Sequence, residues 1–319
     1  MLADTHKACR QINLIRRRQV SNNNQQIRTE ITNQIITALE SGSLPPWRKP
    51  WNSDLNSGMG KNIVSGELYT GVNPLLLGLA SERHGFQSRH WGTYNQWTEL
   101  GGKIMRRPSH VPQGKWGTKI VFCKAVVKHK DDNDEPEETY FLLRTYTVFC
   151  IDQVEGDHLD YLRVGYSTDT HNSESVAYEE ADALIAATEA DIRHGGNQAY
   201  YDLAKDYIQV PNRHQFSGSG YYDTVLHELV HWAEHTNRLN WDRESGGYAL
   251  GELIAEIGSC YLCSELNIPM DAQNHHAYLD GWLTKMKQDS SFIFKASSQA
   301  SRAADYLMSF SREPMEVAG

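Results

Sequence analysis

Cysteine is scarce in this chain. Its five residues (Cys9, Cys123, Cys150, Cys260, Cys263) are odd in number and scattered, which suits a reducing cytoplasm better than a disulfide framework. Long apolar runs are missing, so no membrane-spanning helix is expected and no membrane partner follows. The opening MLADTHKACRQINLIRRRQV lacks the apolar core and small-residue cleavage site of a secretory signal. Acidic residues are nearly absent from the front of the chain. Residues 1–130 hold 7 Asp and Glu against 19 Lys and Arg, whereas residues 131–319 hold 33 against 12. A basic module attracts polyanions in a salt-sensitive way, and an acidic one does not hold a phosphate backbone unaided. The imbalance predicts two domains with different partners.

Local pattern sets the boundaries. Residues 1–26, with Arg16, Arg17 and Arg18 ahead of SNNNQQ, read as a flexible basic and polar extension. The basic domain follows over 27–153, a polar linker over 154–173 and the acidic domain over 174–319. Apolar spacing predicts helices over 27–41 and after Pro74, then strands over 119–127 and 140–149 flanking the acidic DDNDEPEE loop. In the rear, helices are predicted over 175–193, 221–238, 248–266, 274–287 and 296–311, with two strand-like pieces within 198–210. This mixture is an α/β (α+β) fold in two domains.

Five of the eight tryptophans (Trp47, Trp51, Trp91, Trp97, Trp116) lie in the basic half. Cations interleaved with rings are what a single-stranded DNA groove needs, because bases stack on aromatics for about 1–3 kcal/mol each while Lys and Arg follow the phosphates. Trp47, Arg48, Lys49, Trp51, Lys61, Tyr69, Trp91 and Tyr94 are therefore the candidate nucleic-acid contacts. Tryptophan is equally a core residue, and two or three of the five are expected to be buried.

The rear half is organised around YYDTVLHELVHWAEHTNRLN, residues 221–240. His227 and His231 are four apart, one helical turn, so both imidazoles share a face with Glu228 beside them. This His-Glu-x-x-His spacing suits zinc hydrolases, in which two imidazoles hold the ion and the glutamate takes a proton from water. A third ligand is required. His235 continues the spacing, but positions 227 to 235 span about 12 Å along a helix, too far for one ion. Glu252 and Glu256 in GELIAEIGSCYLC are better placed, four apart on an apolar helix with no nearby Lys or Arg in sequence to relieve them. Glu252 is taken as the metal ligand and Glu256 as the carboxylate orienting a ligand histidine; the reverse assignment and a plain acidic face stay open. Cys260 and Cys263 read as small core residues. If the site is active, a peptide could pair with the strand near 207–210 by edge addition.

These stretches together resemble the ArdC-type antirestriction proteins of conjugative plasmids. The resemblance rests on ITNQIITALESGSLPPWRKPWN, SGELYTGVNPLLL, TYNQWTELGGKI, YTVFCIDQVEG, GGNQAYY, YYDTVLHELVHW, YALGELIAEIGSCYLC and HHAYLDGWL. It implies a single-stranded-DNA-binding domain joined to a zincin-like metallopeptidase domain, with a role in shielding incoming DNA from host restriction. It carries the metal motif onto His227 and His231, the general base onto Glu228 and the acidic ligand onto the Glu252 helix. Zn2+ is the implied ion, with Mn2+ or another divalent ion possible. Gly251 departs from the acidic residue expected there. A DNA-binding shield with a structural metal, and a DNA-guided protease acting on a host protein, are the competing readings.

Overall fold

A computed structural model describes residues 2–42, 45–48, 54–128, 138–166, 174–241, 247–270 and 276–311; within these, side chains at 2–19, 126–128, 138–140, 174–177 and 276–277 are not described. The first helix, α1, runs Leu2–Glu40 and stops at Gly42, whose φ of 76° only glycine adopts readily. It extends through residues 2–26, where an extension was expected. One reason is that Asn24 bonds the backbone of β5 (Glu138–Cys150): its Nδ2 donates to Phe141 O (2.8 Å) and its Oδ1 accepts from Leu143 N (3.0 Å). Tertiary contact thus offsets the weak helix propensity of the Asn run.

The front half continues with β1 (Lys61–Asn62), α2 (Asn73–His84), β2 (His90–Thr93), α3 (Tyr94–Glu99), β3 (Lys103–Ile104) and β4 (Thr118–Lys128) ahead of β5, then β6 (Val154–Glu155). A capping box between Thr93 and Gln96 starts α3. β4 and β5 form a long antiparallel hairpin, as the sequence pattern predicts, in a sheet of order β1-β2-β5-β4. The DDNDEPEE loop lies outside the described residues save for Glu138.

The rear half comprises α4 (Glu174–Ala187), β7 (Asp191–His194), β8 (Tyr200–Asp202), β9 (Tyr207–Val210), α5 (Gly220–Ala233), α6 (Gly247–Glu265), α7 (His276–Gln288) and α8 (Phe292–Met308). The helix expected to reach residue 193 ends at Ala187. Glu189 turns left-handed (φ 54°) and β7 then pairs in parallel with β9. The three-stranded sheet has the order β7-β9-β8. This refines the expectation of a peptide pairing with a strand near 207–210: β9 is the central strand, with both edges already paired, and among the described residues the edge on the side of the metal cavity belongs to β8.

Two apolar clusters hold the molecule together. One contains Trp91, Trp97, Ile120, Val148, Val154, Leu159 and Leu162. The stretch expected as a linker therefore begins inside the front core; its residues 167–173 lie outside the described residues. The other cluster joins Ile35, Leu39, Trp47 and Leu75 of the front to Leu229, Leu253 and Ala300 of the rear. Opposite net charges divide the chain, but one continuous core crosses the division.

Candidate functional site

The helix α5 has no Gly or Pro beyond its first residue, and its apolar positions Val225, Leu226, Leu229 and Val230 are fully buried. That burial fixes the rotation of the helix, so the opposite face presents His227, Glu228 and His231 to a cavity of about 620 Å³. α6 crosses α5 closely because Gly258 sits against Val230. Its Leu253, Ile254 and Ile257 are buried, which turns Glu252 toward the histidines.

His227 Nε2 lies 3.7 Å from one oxygen of Glu252, and His231 Nε2 lies 3.7 Å from the other. The two imidazoles stand edge to face with ring centres 5.0 Å apart. Donors bound tetrahedrally at about 2.1 Å sit about 3.4 Å from one another, so this trio fits a single divalent ion with little movement. It is the set of metal-ligating side chains that converges among the described residues. Burial raises the Glu228 carboxyl above its ordinary value, although His227, His231 and the Tyr201 backbone oppose this. Burial works against charge on Glu252 too, but its pairing with the imidazoles holds its pKa below the usual range.

Other assignments change. Glu256 is buried, with one oxygen accepting from Trp47 Nε1 (3.2 Å) and its carboxylate paired with Arg48 (Nη2 to Oε2, 3.1 Å). The cation that relieves the acidic pair comes from two hundred residues upstream, which local sequence could not reveal. The carboxylate near the other ring nitrogen of His231 is that of Glu234, buried and 3.9 Å from Nδ1. Its position three residues after His231 on the same face was the available signal. His235 lies beyond the end of α5 and accepts a hydrogen bond from Asn237 N. Cys260 and Cys263 are buried, and burial raises both thiols well above the ordinary value. Tyr248 and Tyr278 line the cavity and share a hydrogen bond of 3.1 Å between hydroxyls.

Four of the six nucleic-acid candidates among the described residues are buried. Trp47 and Arg48 are each 2% exposed, Trp91 is 1% and Tyr69 is 5%. Each is a correction: the first two meet Glu256, Trp91 packs on Phe86, and Tyr69 bonds Asn62. Lys61 is half-buried, Tyr94 is exposed, and Lys49 and Trp51 lie outside the described residues. Trp47, Trp91 and Trp97 are core residues, in line with the expectation of two or three.

Residues 25–149 match a family model described as the N-terminal domain of anti-restriction factor ArdC, and residues 179–299 match one described as a zincin-like metallopeptidase. The metal-free crystal structure of the antirestriction ArdC protein from R388 plasmid superposes with a TM-score of 0.70 at 36% identity, over 89% of this chain and 97% of that one. This chain belongs to the ArdC family. The Mn(II)-bound structure of that ArdC protein gives a TM-score of 0.66 at 35% identity, over 90% of this chain and 98% of that one. An uncharacterized protein, y4eC, of Sinorhizobium fredii (strain NBRC 101917 / NGR234) is 34% identical over 87% of this chain and 90% of its own length. DNA primase TraC of Escherichia coli is 30% identical over 90% of this chain, which spans 27% of that primase. The ArdC-family architecture of two mixed helix-and-sheet domains, the second zincin-like, is thus established for this chain, and a divalent metal is supported. No helix among the described residues is long and apolar enough to cross a membrane.

Proposed function

We propose that this ArdC-family chain binds single-stranded DNA without sequence preference on its front sheet, shields DNA entering a cell from restriction, and carries a metal-dependent peptidase-like site behind. One surface supports the binding reading. Phe122 and Tyr146 are exposed, edge to face at 5.4 Å, and share one face of the β4–β5 hairpin with Lys124 and Arg144. Beside them opens a groove of about 820 Å³ lined by Arg83, Lys115, Lys119 and Arg144, with Tyr146 at its wall. Exposed rings alternating with exposed cations suit splayed bases and a phosphate track. In this reading the face takes the place of the buried Trp47 and Trp91.

In the rear, His227, His231 and Glu252 would hold the ion, Zn2+ or Mn2+. A bound divalent ion supplies Lewis-acid polarisation of a carbonyl and lowers the pKa of water. Glu228 accepts the proton from the attacking water and returns it to the leaving amine. Among the described residues β8 pairs only with β9, and its Tyr200 and Tyr201 line the cavity. An extended peptide could therefore add to β8, its backbone satisfied by main-chain hydrogen bonds. The test is Glu228→Gln in the full chain. Retained metal with abolished peptide cleavage and lost protection of incoming DNA supports a hydrolytic role. Full protection with metal still bound assigns protection to the DNA-binding face alone.

A further inference from the structure

Between α1 and β1 the chain passes through residues 45–48, and these four residues belong as much to the rear of the molecule as to the front. Gly78 of α2 packs directly on the Pro46 carbonyl, leaving no room for a Cβ. On the other side Arg48 reaches both ligand-bearing helices. Its Nη1 and Nη2 each lie 3.2 Å from Asp223 Oδ2 on α5. Its Nε and Nη2 form a two-pronged pair with the Glu256 carboxylate on α6.

The spacing gives this pairing its meaning. Asp223 precedes His227 by four residues, and Glu256 follows Glu252 by four, so Arg48 grips each helix one turn, about 5.4 Å, from a metal ligand. A planar guanidinium fixes both the distance and the orientation of the carboxylates it forks. Ligand constellations tolerate displacements of only about 0.5 Å. Trp47 adds an independent brace. It bonds Glu256 and meets Trp282 edge to face at 6.1 Å, and Trp282 lines the metal cavity and donates to Ala249 O in α6 at 3.1 Å.

We infer that Arg48, supplied by the front of the chain, is a positioning residue for the rear metal site, setting the separation of α5 and α6 at which His227, His231 and Glu252 converge. The site is incomplete without it, and metal binding and the seating of residues 45–48 are thermodynamically linked. The inference rests on the metal-site reading above.

The experiment uses the full chain and Mn2+ as probe. Arg48→Lys keeps the charge and loses the fork; Arg48→Met with Glu256→Gln removes the fully buried pair together and leaves only Asp223, whose carboxylate is 16% exposed and reaches solvent. Each is expected to keep the far-ultraviolet circular dichroism of the parent and to bind Mn2+ about 10- to 100-fold more weakly. Binding within twofold of the parent by both variants overturns the inference. A second measurement needs no variant. Hydrogen exchange of the Arg48 amide, which donates to Pro45 O at 2.8 Å, should slow when Mn2+ is added. Slowing confined to the amides of α5 and α6 overturns the linkage. Should the parent fail to bind Mn2+, or His227→Ala bind it equally well, the metal-site reading itself falls, and the two failures are thereby told apart.

Discussion

Arg48 and His90 show how far a side chain's role departs from its type. Arg48 sits between tryptophans in a basic stretch, the ordinary look of a phosphate contact, yet it is buried against two carboxylates. His90 is half-buried with its Nε2 donating to Asn56 Oδ1 at 3.1 Å. Burial, and then the charges of Arg89 and Lys61, lower its pKa from 6.5 to about 4. Between those values the unfolded chain takes up a proton that the folded chain refuses, so stability falls as pH drops through this window. Discounted for partial exposure, the loss is about 1–2 kcal/mol. Denaturant melts at pH 7 and pH 4.5 should show that His90→Gln, which keeps a donor and loses the titration, recovers that amount; an unchanged acid loss would remove His90 from the account. The histidine pair was legible at this scale because its spacing is local. The partners of Glu256 were not, since Arg48 is 208 positions away.

Among the elements, the crossing of α5 and α6 decides the metal site, and one glycine permits it. A Cβ on Gly258 would lie 2.9 Å from Val230 Cγ2, and Val230 is β-branched with little freedom to turn aside. Gly258→Ala is expected to cost about 1–3 kcal/mol and to weaken Mn2+ binding by spreading the helices. Gly251, on the same helix with open space at its Cβ position, is the control: Gly251→Ala should gain about 0.5–1 kcal/mol. Thermal unfolding of both variants checks the pair, and equal effects would mean the close crossing is not limiting. Helix and strand identities were largely readable from periodicity. The β4–β5 hairpin and α6 lie where their patterns place them, α5 ends at Ala233 short of the expected 238, α8 starts at Phe292 ahead of the expected 296, and β7 was read as the end of a helix. Four residues with one inward-facing Ile192 carry too short a pattern to separate the two periods; parallel pairing with β9 decided the matter.

Across the whole molecule, opposite charges meet over a shared core rather than across a polar linker. The net charge of the rear opposes phosphate near the metal cavity, whereas cations line the groove of the front. If single strands run along that groove, each lost contact reduces the slope of log affinity against log salt by about 0.7. Lys119→Ala combined with Arg144→Ala should therefore flatten the slope by about 1.4, read by fluorescence anisotropy across a salt series. An unaltered slope would place the strand elsewhere. The junction itself is tested by Gly78→Ala, whose methyl group would press on the Pro46 carbonyl, a backbone atom that cannot swing away. Its melting temperature should fall well below that of Gly251→Ala.

What the sequence determined by itself was chemistry written in short spacing: the turn separating His227 from His231, the turn separating Glu252 from Glu256, and the alternation of the hairpin strands. Periodicity reports which side of an element is apolar, and an apolar side must be buried. Tertiary structure alone decided which tryptophans are covered, which strand of the rear sheet keeps a free edge, and which distant arginine answers the buried acid. Those outcomes depend on contacts between segments far apart in the chain, where no periodic signal exists and only the geometry of packing selects the partner.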